Sequence, residues 1–189
     1  MDFTISERGQ DYLKRVKAFM EKEILPIEEE YHRELMAREN RWVVLPVIRE
    51  LKARAKAEGL WNMFFPDEQN GCGLLNSDYA MIAEETGRSF IAPEIFNCNA
   101  PDTGTLEVFM KYGTPQQQAQ WLTPLLAGEI RSAYAMTEPQ VASSDATNIE
   151  LSIRRDGDEY VINGSKMFIS GAGEPEILVA MARTGADGP

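Results

Sequence analysis

The sequence predicts an α+β protein: an amino-terminal all-α helical bundle domain over residues 1–129, followed by the start of an antiparallel β-barrel-like domain over residues 130–189. In the first part, apolar residues recur every three or four positions, as in helices that bury one face. In the second part they alternate, as in strands. Two dipeptides that favour hairpin turns, Asp156-Gly157 and Asn163-Gly164, separate the strand-like runs. The change of period predicts a domain boundary near residue 129.

Start and stop signals delimit the helices. Ser6 is a suitable first cap, and Pro26 lies where it can bend the long helix that follows. Gly59 supplies a stop for the second helix, and Thr114-Pro115 is a strong start signal for the last one. The predicted helices cover residues 6–37, 46–58, 76–87, 105–112 and 114–128.

The strands are predicted from alternation and from the turns between them. They cover residues 131–136, 149–155, 159–162, 166–170 and 177–182. The final residues, 185–189, are turn-like and follow a strand directly. So few strands leave a sheet edge with unpaired backbone groups. We therefore expect a truncated product or a chain that awaits a partner.

The charge and the single histidine exclude several classes of function. A formal net charge of -11 disfavours nucleic acid and anionic membrane surfaces as partners. The absence of a long apolar run or a signal-like start predicts a cytoplasmic protein without a membrane span. His32 has no second histidine to act with, which argues against a histidine metal site or a serine-histidine triad. No metal site is predicted.

Six segments, in order along nearly the whole chain, carry a resemblance to a known family. They are Phe65 to Leu74, Tyr79 to Glu85, Tyr112 to Gln118, Trp121 to Gly128, Tyr134 to Pro139 and Gly164 to Gly171. Together they resemble the acyl-CoA dehydrogenase family. The turn after Pro139 is one residue longer than is usual and has Ser143 where glycine is common. That variant resembles the branch that includes the vertebrate family members ten and eleven.

The resemblance implies that FAD is the cofactor. Thr137 would bond the pyrimidine edge of the flavin, Phe168 would cover the ring, and the Ser170 hydroxyl would reach the hydride-accepting nitrogen. Ser143 and Ser144 would contact the flavin pyrophosphate or the CoA substrate. The cofactor-binding residues that it implies are Tyr134, Met136, Thr137, Ser143, Ser144, Phe168, Ile169 and Ser170. Without the resemblance, the same residues fit an ordinary half-buried strand or a serine-rich turn equally well.

The resemblance also implies an activity: oxidation of acyl-CoA thioesters to 2-enoyl-CoA, as in fatty-acid β-oxidation, with electron-transfer flavoprotein as electron acceptor. In the family, the catalytic base comes from a carboxy-terminal helical domain that these residues lack. No catalytic residue is assigned, and we expect Glu138 and Asp145 to serve turn and hydrogen-bond architecture. We expect a homo-oligomer or a complementing chain. The alternative is a non-catalytic helical interaction or dimerisation module. The related acyl-CoA oxidases and nitroalkane oxidases share the fold and are a further possibility for the activity.

Overall fold

Helices occupy the amino-terminal part of the chain and short strands the carboxy-terminal part, in a computed structural model that describes residues 4–173 and 175–185. The predicted α+β class is confirmed. The chain forms two compact units, one up to Thr103 and one from Gly104. The domain boundary near residue 129 stays a prediction. The interpretations of the first three residues and of residues 186–189 lie outside the described residues.

The first unit is helical and packs around one apolar core. Ser6 caps its first helix, since its Oγ accepts a hydrogen bond from the Gly9 amide at 3.0 Å. The apolar face of that helix is buried, as the spacing predicts. The centroids of the Phe19 and Phe96 rings lie 5.4 Å apart. The elements are α1 (Glu7–Phe19), a π-helical turn (Met20–Ile24), α2 (Leu25–Met36), α3 (Pro46–Ala57), α4 (Asn76–Thr86) and α5 (Ala92–Ile95).

Within its described residues, the second unit contains two strand pairs. Its elements are α6 (Asp102–Tyr112), which begins at the end of the first unit, α7 (Pro115–Gln117), a second π-helical turn (Gln118–Leu122), α8 (Thr123–Leu126), β1 (Ser132–Ala135), a 3-10 turn (Ala146–Asn148), β2 (Ser152–Asp156), β3 (Glu159–Asn163) and β4 (Ile177–Ala180). β2 and β3 form an antiparallel hairpin around Gly157, as predicted. β1 and β4 pair in parallel, with Ser132 opposite Ile177.

Both π-helical turns end two residues before a proline. Ile24 precedes Pro26, and Leu122 precedes Pro124. Proline has no amide hydrogen, and its ring clashes with the carbonyl four residues earlier in a regular helix. Widening the preceding turn removes that clash while the helix continues. The predicted first helix is therefore one continuous helix with a local π-bulge.

The strand predicted over residues 166–170 is wrong, because this described segment is irregular. Phe168 has φ 55°, a left-handed backbone angle that a strand residue cannot adopt. Asn163-Gly164 consequently does not form a hairpin turn. Instead, Gly164, at φ 144°, allows the backbone to approach Leu151 closely. Within residues 4–173 and 175–185, every helix is too short or too polar to cross a bilayer.

Candidate functional site

A buried carboxylate lies at the centre of the predicted flavin-binding segments. Glu138 follows the end of β1 by three residues and is buried. Its Oε2 accepts a hydrogen bond from the Glu150 amide at 2.9 Å, and its Oε1 accepts one from the Leu151 amide at 2.9 Å. The Lys166 ammonium donates to Oε1 at 2.8 Å. These bonds agree with the architectural role expected for Glu138.

Lys166 connects the irregular segment to the end of β1. Its Nζ also donates to the Met136 carbonyl at 2.9 Å. The next amide, that of Met167, donates to the Thr137 carbonyl at 3.0 Å. Thr137 and the residue before Phe168 are therefore in direct backbone contact. The structure thus brings together two of the segments that the resemblance assigns to the flavin.

The two serines of the following turn have different surroundings. Ser143 is buried, and its Oγ accepts a hydrogen bond from the Glu138 amide. Ser144 is exposed. Asp145 caps the short 3-10 turn, because its Oδ1 accepts from the Thr147 hydroxyl at 2.7 Å and from the Thr147 amide at 3.0 Å. Ser143 therefore holds the turn together, whereas the hydroxyl of Ser144 is accessible.

The predicted ring-covering residue is accessible. Phe168 is 84% exposed, and its backbone is left-handed. Ser170, two residues later, is also exposed, and Ile169 between them is half-buried. On β1, Tyr134 is half-buried and donates its hydroxyl hydrogen to the Met181 Sδ at 2.9 Å. Met136 and Thr137 are likewise half-buried.

Sequence reasoning assigned no role to Lys166, although it lies two residues before Phe168. Its partner Glu138 is 28 positions away, and local spacing contains no information about such a pairing. The one available signal was a lysine in an otherwise apolar, strand-like run, which must either reach solvent or find a carboxylate. Among the described residues, no group of three or more metal-ligating side chains comes together.

Opposing effects set the pKa of Glu138. Burial acts to raise it, but the Lys166 ammonium and the amides of Glu150 and Leu151 favour the ionised form more strongly and hold the pKa below its ordinary range. Hydrogen bonds from the Thr147 hydroxyl and amide lower the pKa of Asp145. Both carboxyls therefore stay ionised at neutral pH. Glu138, with donors on both oxygens, is a poor proton acceptor.

Acid should weaken the contribution of Glu138 to stability. Its pKa is lower in the folded chain than in the unfolded chain, so the contribution is present above the unfolded value and is lost as pH falls through the folded value. We expect the difference in unfolding free energy between the wild type and Glu138→Gln to be constant above about pH 5.5 and to shrink below about pH 4. Urea unfolding over this pH range measures it. A difference that grows on acidification would contradict the assignment.

The arrangement fits a flavin by the chemistry of its groups. An isoalloxazine ring needs a flat apolar neighbour and donors or acceptors along its polar edge. The exposed Phe168 ring could supply the first, and the hydroxyls of Thr137 and Ser170 could supply the second. Ser144 offers a further accessible hydroxyl in the neighbouring turn.

Comparison with known proteins identifies the family. The acyl-CoA dehydrogenase N-terminal domain matches residues 6–129, and the acyl-CoA dehydrogenase middle domain matches residues 133–189. The chain is 53% identical over 182 residues to acyl-CoA dehydrogenase family member 11 of Gallus gallus, in a match that covers 95% of this chain and 23% of that protein. It is 50% identical over 192 residues to "Probable acyl-CoA dehydrogenase FadE2" of Mycobacterium tuberculosis, with 99% and 46% covered.

A solved structure shares the fold as well. It is that of a Mycobacterium abscessus protein assigned as an acyl-CoA dehydrogenase, with a TM-score of 0.90, 46% sequence identity, and 98% of this chain and 48% of that chain covered. The chain thus spans from about a quarter to about half of the length of these relatives. The resemblance inferred from the sequence is confirmed, and the chain belongs to the acyl-CoA dehydrogenase family.

Proposed function

We propose that the chain contributes one face of the flavin site to an FAD-dependent oxidation of acyl-CoA thioesters to 2-enoyl-CoA. The observation that carries the proposal is the Phe168 ring, exposed on a left-handed backbone one residue after the Met167–Thr137 hydrogen bond. A bulky apolar side chain in a costly backbone conformation and open to solvent is typical of a ligand contact. The family membership supports FAD as that ligand.

The residues of this chain would bind and orient the cofactor. When bound, FAD supplies the acceptor for the hydride that leaves the β-carbon of the thioester. Phe168 would present its apolar face to the ring, while Thr137 and Ser170 would supply hydroxyls that can donate or accept as the flavin changes oxidation state. Tyr134, Met136 and Ile169, all half-buried, would complete the cofactor-binding set.

The two serines would have separate roles. Because the Ser143 oxygen already accepts a hydrogen bond from the Glu138 amide, Ser143 would shape the turn. Ser144 is exposed and would be the hydroxyl that contacts the flavin pyrophosphate or the CoA phosphates. This division refines the role that the resemblance gave to both residues together.

The catalytic base and the electron acceptor would come from outside this set of residues. Removal of the α-proton needs a carboxylate with a free oxygen, and Glu138 is hydrogen-bonded through both of its oxygens. We therefore propose that the base belongs to a region that the longer relatives possess beyond the matched segments. Electron-transfer flavoprotein as acceptor, a homo-oligomer or complementing chain, and a cytoplasmic location stay predictions.

FAD titration tests the proposal. Because the chain contributes only one face of the site, we expect weak, saturable binding; a micromolar or lower dissociation constant, about -8 kcal/mol or stronger, would mean that these residues alone form a usable pocket. Phe168→Ala should weaken FAD binding about tenfold, because it removes the ring that would stack on the flavin and the apolar area that the two rings would bury together. Absorbance and quenching of flavin fluorescence give both values.

The matched control is Tyr160→Ala on β3. Tyr160 is also a solvent-exposed aromatic residue of the second unit, but it lies outside the proposed flavin segments. We expect its FAD affinity to stay within about twofold of the wild type. Absence of binding, or equal losses for the two variants, would favour the non-catalytic module over the enzyme.

A further inference from the structure

Lys166 and Glu138 form an ion pair that is almost completely shielded from water. The Lys166 side chain is 8% exposed and the Glu138 side chain 4%. Withdrawing two charges from water is costly, and a buried pair is often no more stabilising than apolar residues of the same volume. Its presence between two segments of the proposed flavin site therefore suggests a role in specifying geometry.

The pair fixes the chain on the amino-terminal side of Phe168. Lys166 bonds both the Glu138 carboxylate and the Met136 carbonyl, and the Met167 amide bonds the Thr137 carbonyl. One side chain and one backbone amide thus hold two consecutive residues against the end of β1. Such paired anchors define both the position and the direction of the chain that leaves them.

Phe168 depends on these anchors more than an ordinary residue does. A left-handed backbone is costly for a bulky side chain, and it persists only where the surroundings impose it. Because the ring is 84% exposed, its own packing supplies little of that restraint. On the carboxy-terminal side, the Ala172 amide bonds the Ile169 carbonyl and Gly171 has φ 78°, which closes a tight turn. The segment is held at its two ends.

Glu138 also contacts the turn that contains Ser143 and Ser144, a third segment of the proposed flavin site. Its amide donates to the Ser143 hydroxyl, and its carboxylate accepts from the amides of Glu150 and Leu151. A single residue therefore links the end of β1, the serine turn, the approach to β2 and, through Lys166, the Phe168 segment. A change in its charge state or contacts would be transmitted to all of them.

We propose that Glu138 and Lys166 are a positioning pair, which holds residues 167–170 against the end of β1 so that Phe168 keeps its left-handed, exposed presentation. Its purpose, alignment of the flavin contact, rests on the proposed function. The positioning itself is a property of the chain alone. The two parts can therefore be tested separately.

Hydrogen exchange at two amides tests the positioning. The double variant Glu138→Gln/Lys166→Met removes the pair without leaving an unpaired charge, and the carbonyl of the introduced glutamine can still accept from a backbone amide. We expect the Met167 amide to exchange about tenfold faster than in the wild type, because its segment opens locally. The Met181 amide, bonded to the Ala135 carbonyl at 3.0 Å, reports on the strands and should keep its wild-type rate.

Two further variants separate positioning from general stability. Lys166→Arg keeps the charge and should restore the Met167 rate to within about threefold of the wild type. Lys52→Met/Glu94→Gln removes another largely buried ion pair, in the first unit, and should leave the Met167 rate unchanged. An unchanged Met167 rate in the Glu138/Lys166 double variant, or equal acceleration at Met167 and Met181, would overturn the proposal.

A double-mutant cycle connects the pair to the cofactor. In the wild-type background Phe168→Ala is expected to weaken FAD binding about tenfold, whereas in the background without the pair the same change should matter less than about twofold. A full tenfold effect in both backgrounds would overturn the positioning of Phe168 by the pair. If the wild type binds no FAD, the proposed function fails, and the exchange rates still decide whether the pair positions the segment.

Discussion

Replacing Lys166 alone with methionine is expected to lower the free energy of unfolding by about 3 kcal/mol. The substitution keeps the volume of the side-chain stem but removes the ammonium, so the Glu138 carboxylate is left buried without a counter-charge. The two backbone amides that remain bonded to it compensate only in part. The Met136 carbonyl loses its donor as well. Urea unfolding at neutral pH measures the loss.

A solvent-exposed ion pair of the same unit is the control. Arg154 bonds Asp156 at 2.9 Å, but their side chains are 66% and 59% exposed. We expect Arg154→Met to change stability by less than about 1 kcal/mol, because water screens the charges that remain. The double variant Glu138→Gln/Lys166→Met should be less destabilised than Lys166→Met. Equal losses for Lys166→Met and Arg154→Met would mean that Glu138 is not an unpaired buried charge after the substitution.

The helices could be predicted because their determinants are local. Ser6, the apolar face with Val16, and the Thr114-Pro115 start signal act over one or two turns, and the structure places helix starts next to them. The Gln117 side chain even completes a capping box with Thr114. The π-helical turns were not predicted, although a proline within a helical pattern was the visible signal for both.

The strands were predicted less well because a strand is completed by a distant partner. β1 pairs in parallel with β4 across most of the second unit, and alternation within either strand cannot indicate that direction. Residues 166–170 alternate as a strand does, but Lys166 turns towards Glu138 and the chain leaves the extended conformation at Phe168. The buried ion pair overrode the local preference.

The candidate site, like the fold, could be predicted only in part from the sequence. The family resemblance assigned Thr137, Phe168 and Ser170 to one place, and the contacts between residues 136–138 and 166–167 support that assignment. That these residues bind FAD stays a prediction. The distinction between buried Ser143 and exposed Ser144 could not be predicted, because both are serines of one turn and only the fold decides which of them meets the Glu138 amide.

Gly164→Ala is expected to lower the free energy of unfolding by about 3 kcal/mol. At φ 144° a side chain is strained, and the added Cβ would lie 2.9 Å from the Leu151 Cα and 3.0 Å from its Cβ. One of these atoms is backbone, so a change of rotamer cannot relieve the contact. The Leu151 amide is a donor to Glu138, and a shift of Leu151 would therefore disturb the ion pair with Lys166.

Gly157→Ala separates the two causes of this loss. Gly157 also has a positive φ, 65°, but an added Cβ there would meet nothing within 4 Å. Its replacement should cost only the backbone penalty, about 1 kcal/mol. In addition, Gly164→Ala should accelerate exchange of the Met167 amide, whereas Gly157→Ala should not, because only Gly164 lies against a residue that bonds Glu138. Equal losses of stability and equal exchange rates in the two variants would mean that backbone conformation alone, and not the approach to Leu151, requires glycine at position 164.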